Sequence, residues 1–143
     1  MLVVWLFSCI FAGAMVKHIV YIGMGSNLSS AAEVLADARR WLAKLSDDEV
    51  LFSTPQQTEP IDFPWPTMFM NQVAQLSTTM TPAEVKASLK KMERKAGRTK
   101  AETKLGIIRL DLDLLAVDGK VLRQSDWQRP YIRQGIDELG QQA

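Results

Sequence analysis

Apolar and polar residues alternate along the chain in two rhythms, one of strands and one of helices. "KHIVYIG" (17–23) is rich in β-branched and aromatic residues and predicts a buried strand. "GMGSNLSS" (23–30) predicts a turn into a helix over about 30–45, where Val34, Leu35, Ala38, Trp41, Leu42 and Leu45 share one face. "EVLFS" (49–53) reads as a second strand, and the four prolines between Thr54 and Pro66 predict a loop. "MFMNQVAQLST" (68–78) is a third strand. In "TPAEVKASLKKMERKAG" (81–97), Thr81 and Glu84 form a capping box. Pro82 opens that helix, Val85, Leu89, Met92 and Ala96 make its stripe, and Gly97 ends it. A basic loop (98–106) leads to a fourth strand, "IIRLDLDLLAV" (107–117), and Asp118-Gly119 is a hairpin-type turn. "KVL" is a short return strand and "RPYIRQGIDEL" (129–139) a last helix. The order β-α-β-β-α-β predicts an α+β fold of ferredoxin-like type, a four-stranded antiparallel sheet with helices on one face.

Composition narrows what such a fold can do. Apolar residues are 47% and charged residues 23% of 143, an ordinary globular balance. The net charge of +1 offers no broad basic field for nucleic acid, and no strand aromatic cluster supports an RNA-binding module. Cys9 and His18 are the only residues of their kinds, which excludes disulfide frameworks and Cys- or His-based zinc sites. Any metal is therefore held by oxygens, which favours magnesium or manganese. The opening "MLVVWLFSCIFAGAMV" is uncharged, shorter than the ~20 residues a membrane helix needs, and without a basic start. Residues 1–14 are expected to be an over-extended start, with Met15 the true one; a signal or weak anchor is the alternative. Residues 15–143 are expected to form one cytoplasmic domain, monomeric and without a membrane partner.

The chemistry concentrates in the fourth strand. Alternation puts Arg109, Asp111 and Asp113 on one face and Ile108, Leu110, Leu112 and Leu114 on the other. Two carboxylates on one face repel unless a cation sits between them, and such a pair suits Mg²⁺ with phosphate oxygens. The same spacing also fits a solvated face neutralised by Arg109. Arg98, Lys100 and Lys104 just upstream suit a triphosphate, or form an ordinary solvated loop. Phe69 and Asn71 share a face, an aromatic plane beside an amide that can hold a flat heterocycle or merely pack.

Together these segments resemble the 6-hydroxymethyl-7,8-dihydropterin pyrophosphokinases of folate synthesis. The resemblance rests on "YIGMGSNL" (21–28), "STPQQTEP" (53–60), "FMNQV" (69–73), "MERKAGR" (92–98) and "LDLDLL" (110–115). It implies transfer of a diphosphoryl group from ATP to the pterin hydroxymethyl group, with release of AMP. It implies that Asp111 and Asp113 hold two Mg²⁺ ions and that Thr54, Pro55, Phe69 and Asn71 belong to the pterin pocket. Glu93, Arg98 and Lys100 would lie on the nucleotide side, with Lys100 replacing a common arginine. Ile108 stands where the family keeps an arginine, so Arg109, one residue later, is the expected catalytic substitute. Leu105 stands where an aromatic is common. "PY" occupies the place of a Pro-His motif in a shortened C-terminus, where Arg129, Tyr131 and Arg133 are candidates for the phosphates and Arg133 is taken as the ATP ligand. The rival reading is a non-catalytic descendant that binds a pterin or nucleotide.

Overall fold

β1 (His18–Ser26) is the centre of the molecule. Its core face carries Val20, Ile22 and Met24, all buried, so a strand at this position needs cover from both neighbours. The computed structural model describes residues 16–142; the reading of residues 1–14 lies outside the described residues. β1 pairs antiparallel with β4 (Phe69–Thr78) on one side and with β5 (Asp111–Val117) on the other. β2 (Leu51–Phe52) and β3 (Gln56–Thr58) both pair with β4, and β6 (Lys120–Val121) pairs with β5. Among the described residues the sheet therefore has six antiparallel strands, not the four expected. The proline-rich stretch read as a loop contributes β3, because Gln56 and Thr58 align with Asn71 and Phe69 before the prolines interrupt pairing.

α1 (Ala31–Ala43) and α2 (Pro82–Lys95) cover one face. Leu35, Ala38, Leu42, Val85 and Leu89 close over Ile22, Leu76, Leu110 and Leu114 in the main core. Fully burying each such leucine or isoleucine contributes about 2 kcal/mol. The Thr81–Glu84 capping box is present in both directions and starts α2 where the sequence predicts.

The expectation of helices on one face is corrected by α5 (Pro130–Gln142), which lies on the opposite side. Its Ile132 and Leu139 pack with Val73 and Leu115 in a second cluster, and Trp127 meets Tyr21 edge-on at 5.8 Å. Leu115 reaches that face beside a β-bulge: Leu114 pairs with Ile22 and Ala116 with Tyr21, leaving Leu115 as the extra residue. Gly135 lets α5 approach; a Cβ there would stand 2.7 Å from Val73 Cγ2. α5 covers only the Tyr21–Val73–Leu115 part of the face. The part around Gly25 stays open.

Two short helices lie in stretches read as irregular: α3 (Lys100–Lys104) in the basic loop, capped by Thr99, and α4 (Gln124–Trp127) before α5. No helix of the described residues is long and apolar enough to cross a membrane.

Candidate active site

β1 carries two glycines that the sequence suggests are a turn but that pair within the sheet. Gly25 lies between Asn71 of β4 and Asp111 of β5, and Gly23 between Val73 and Asp113. Residues directly opposite in antiparallel strands present side chains to the same face. A row of amide, glycine and carboxylate is thus a row with a gap in its middle. A Cβ on Gly25 would lie 2.7 Å from Asn71 Oδ1, so the amide occupies the space that a side chain would need.

Above this gap is a cavity of about 190 Å³ lined by Gly25, Phe69, Asn71, Arg98, Asp111, Arg129 and Tyr131, together with residues of the 58–63 segment. Phe63 meets Phe69 edge-to-face at 5.3 Å, and Asn71 Nδ2 donates to Thr58 Oγ1 at 2.5 Å. These contacts orient an aromatic plane and an amide on one wall. A smaller cleft lined by Gly23, Asp111, Asp113, Asp126 and Arg129 adjoins it.

The carboxylate side is built by the end of α2. Gly97 (φ +94°) takes the left-handed turn; its N–H donates to Arg94 O at 2.9 Å and the Arg98 N–H to Glu93 O at 3.1 Å. This Schellman closure sets the Arg98 side chain beside Glu93. Arg98 Nη1 then reaches Glu93 Oε2 at 3.0 Å, Asp111 Oδ1 at 3.0 Å and Leu110 O at 3.2 Å. Glu93 is buried at 4% exposure, and its Oε2 also accepts the Leu112 N–H at 2.9 Å. The motif glutamate is therefore the support for Arg98 and for the start of β5. Burial, and secondarily the charge of Asp111, push the Asp113 carboxyl up to about 7, against the opposing pull of Arg123.

Of the residues singled out in the sequence, Asp111, Asp113, Phe69, Asn71 and Arg98 meet around this hollow. Arg109 does not share the face of the aspartates. Its guanidinium forms a two-pronged pair with Glu102 of α3, Nε to Oε1 and Nη2 to Oε2, each 2.8 Å. That pair raises the Arg109 pKa and lowers the Glu102 pKa. The parity argument fails because β5 begins only at Asp111, so alternation does not extend back to 109. Arg98, from another element, neutralises Asp111 instead.

Thr54 is also placed elsewhere: its N–H and Oγ1 donate to the Glu138 carboxylate of α5 at 2.9 and 2.7 Å. Neither Thr54 nor Pro55 lines the cavity. Lys100 lines a groove of about 510 Å³ between α2 and α3 with Lys90, Arg94 and Lys104. Arg133 lies over the Trp127 ring, 5.5 Å from its centroid, and outside the cavity. Arg129 faces the cavity in its place, one helical turn earlier.

Sequence reasoning missed Gly25 as a strand residue, although two glycines spaced by two are a visible signal of a bare strip on one strand face. It also missed Arg123 and Asp126, whose three-residue spacing with Arg129 becomes meaningful only once α4 is formed.

The chain is similar to known proteins. The family model for 7,8-dihydro-6-hydroxymethylpterin-pyrophosphokinase matches residues 21–141. A 2-amino-4-hydroxy-6-hydroxymethyldihydropteridine pyrophosphokinase of Pseudomonas putida is 31% identical over 111 residues, covering 78% of this chain and 92% of the relative. The protein of the same name from Aquifex aeolicus is 30% identical over 112 residues, covering 78% of this chain and 69% of the relative. The folic acid synthesis protein fol1 of Schizosaccharomyces pombe is 28% identical over 123 residues, which cover 85% of this chain and 16% of that longer protein. With the family's match running from β1 through α5 and so including every wall of the cavity, the chain belongs to the 7,8-dihydro-6-hydroxymethylpterin-pyrophosphokinase family.

Proposed function

We propose that this chain transfers a diphosphoryl group from ATP to the hydroxymethyl oxygen of 6-hydroxymethyl-7,8-dihydropterin and releases AMP. It is an ATP-dependent pyrophosphokinase of folate synthesis. The observation that carries the residue assignment is the Asn71–Gly25–Asp111 row, in which a slot for a flat ring ends on a carboxylate pair. A pterin in that slot would set its ring against Phe69 and its polar edge on the Asn71 amide, with its hydroxymethyl arm toward Asp111. Thr54 acts on this slot from outside, by anchoring the start of the 54–66 segment, with Pro55 next to it in the chain, to Glu138. Replacing Gly25 by alanine is expected to displace the Asn71 amide and raise the KM for the pterin about tenfold, the value of one hydrogen bond. Steady-state kinetics at saturating ATP measures this; an unchanged KM would remove Asn71 from the pterin site.

Asp111 and Asp113 suit magnesium. They are an oxygen-only pair in which the burial of Asp113 and the charge of Asp111 beside it disfavour a bare negative charge on Asp113. No group of three or more His, Cys, Asp or Glu poised for a metal occurs among the described residues. Such a pair fits an ion that takes one or two carboxylates and fills its other positions with phosphate oxygens and water. Two ions held there would supply the positive charge that draws the phosphates together and makes the hydroxyl more acidic. The protein's own share is alignment: the pterin hydroxyl gives its proton to water and its oxygen bonds to the β-phosphorus as the bridging bond to the α-phosphate breaks and AMP departs.

On the nucleotide side, Arg98 is held by Glu93, while Lys100 and its neighbours supply loose positive charge for the phosphates. A groove of about 320 Å³ runs from Asp113 beside β5, with Leu89, Leu112, Leu114 and Leu122 as an apolar floor and Lys86, Lys90 and Arg123 at its margins. We place the adenine there. Arg109 stiffens α3 through Glu102, and Arg133 braces α4 through Trp127, so each acts at a remove from the reacting atoms. In the same reading the sheet is a ferredoxin-like β-α-β-β-α-β plan, with β2 and β3 as one interrupted strand and β6 appended. The near-neutral charge supports the two small substrates rather than nucleic acid as partners, and a cytoplasmic monomer completes the proposal.

The deciding experiment is AMP release from ATP and Mg²⁺ with and without the pterin. AMP that appears only with the pterin supports the enzyme; tight pterin binding without AMP means a binding descendant.

A further inference from the structure

We infer that Asp126 is a positioning residue, which aims Arg123 and Arg129 at the phosphates carried over Asp111 and Asp113. This rests on the reading of the hollow as a diphosphate-transfer site. Asp126 lies on the four-residue α4 and is 8% exposed, a carboxylate that burial would penalise without partners. Each of its oxygens has one. Arg123 Nε donates to Oδ2 at 2.5 Å, and Arg129 Nη2 lies 3.2 Å from Oδ1. Both of its oxygens are thus engaged by guanidiniums.

The two arginines flank the site from opposite sides. Arg123 lines the groove beside β5, and its Nη1 is 3.6 Å from Asp113 Oδ1. Arg129 lines the pterin-side cavity and the adjoining cleft, and its Nη1 donates to the Tyr131 hydroxyl at 3.1 Å. A guanidinium is a rigid fork of five N–H donors. Fixing one edge on Asp126 therefore dictates where the remaining donors point, and such forks match phosphate oxygens. One buried carboxylate thus sets a cation at the nucleotide end and another at the pterin end of the group in transit. The spacing of three residues on either side, Arg123, Asp126 and Arg129, brings the three together across α4 and the start of α5.

The test compares wild type, Asp126→Asn, the double variant Arg123→Ala/Arg129→Ala, and the triple variant. The readouts are kcat and KM for ATP, and calorimetric binding of magnesium tripolyphosphate, which needs no turnover. Asp126→Asn is expected to lose roughly tenfold or more in kcat/KM for ATP and a similar factor in tripolyphosphate affinity. In the arginine-free background the same change is expected to add nothing further. A wild-type-like Asp126→Asn overturns the inference, and so does an equal loss in the arginine-free background. If Asp126→Asn does not fold, Arg123→Lys and Arg129→Lys carry the test, because lysine keeps the charge but not the fork; wild-type affinity in both overturns it. A wild type that binds tripolyphosphate in an Asp126-dependent way but makes no AMP would sink the transfer reaction and leave this inference standing.

Discussion

Changing Asp113 to asparagine is expected to slow AMP formation about a thousandfold, as removal of a main charge-stabilising group does. The same change is expected to make the metal-free protein more stable above neutral pH. The second effect follows from the sign of the pKa shift. Burial and the charge of Asp111 raise the Asp113 carboxyl from 3.8 in the unfolded chain to about 7 in the fold. Between those values the folded protein holds a proton that the unfolded chain has released. Stability therefore falls as pH rises from about 4 to 7 and stays low beyond it. Asparagine never ionises, so it removes that loss, by up to about 4 kcal/mol. Magnesium is expected to restore stability to the wild type at pH 8, by binding only the folded state, and to do little for the variant. Melting curves at pH 5 and pH 8, with and without Mg²⁺, measure all of this. A wild-type melting point indifferent to pH and magnesium would contradict the carboxylate pair as the metal platform.

The second large effect belongs to Glu93. Its substitution by alanine is expected to cost about 3–5 kcal/mol, as removal of one partner of a buried ion pair typically does. The reason is local. Glu93 Oε2 serves both the Leu112 N–H and the Arg98 guanidinium, in a position almost closed to water. Alanine leaves the N–H without its acceptor and Arg98 held only by Asp111 and Leu110 O, so turnover is expected to fall alongside stability. Glu93→Gln keeps an acceptor oxygen for Leu112 and loses only the charge, and is expected to be the milder change. Urea denaturation ranks the two; equal midpoints for both and for wild type would mean that Glu93 is a passenger.

Much of this molecule is legible in its sequence because the relevant rules are local. The capping box at Thr81 and Glu84, the stop at Gly97 and the apolar stripe of α2 depend on residues within a turn or two of one another. Strand alternation correctly places Asp111 with Asp113 and Phe69 with Asn71, since each pair lies wholly inside one strand. The motifs likewise identify the reaction class before any geometry is known.

What the sequence left undecided concerns partners distant along the chain. Alternation says nothing about where a strand begins, so it groups Arg109 with the aspartates although its guanidinium pairs with Glu102. Whether α5 covers one face or the other depends on Val73 and Leu115 emerging together across three strands. Register alone brings Asn71, Gly25 and Asp111 into one row, and a shift of one residue would turn the amide and the carboxylate to opposite faces. The chain by itself therefore determined the elements and the chemical groups, through short-range sterics and hydrogen bonding. Only the tertiary structure decided which cation meets which carboxylate, because that follows from strand register and helix docking between residues far apart in sequence.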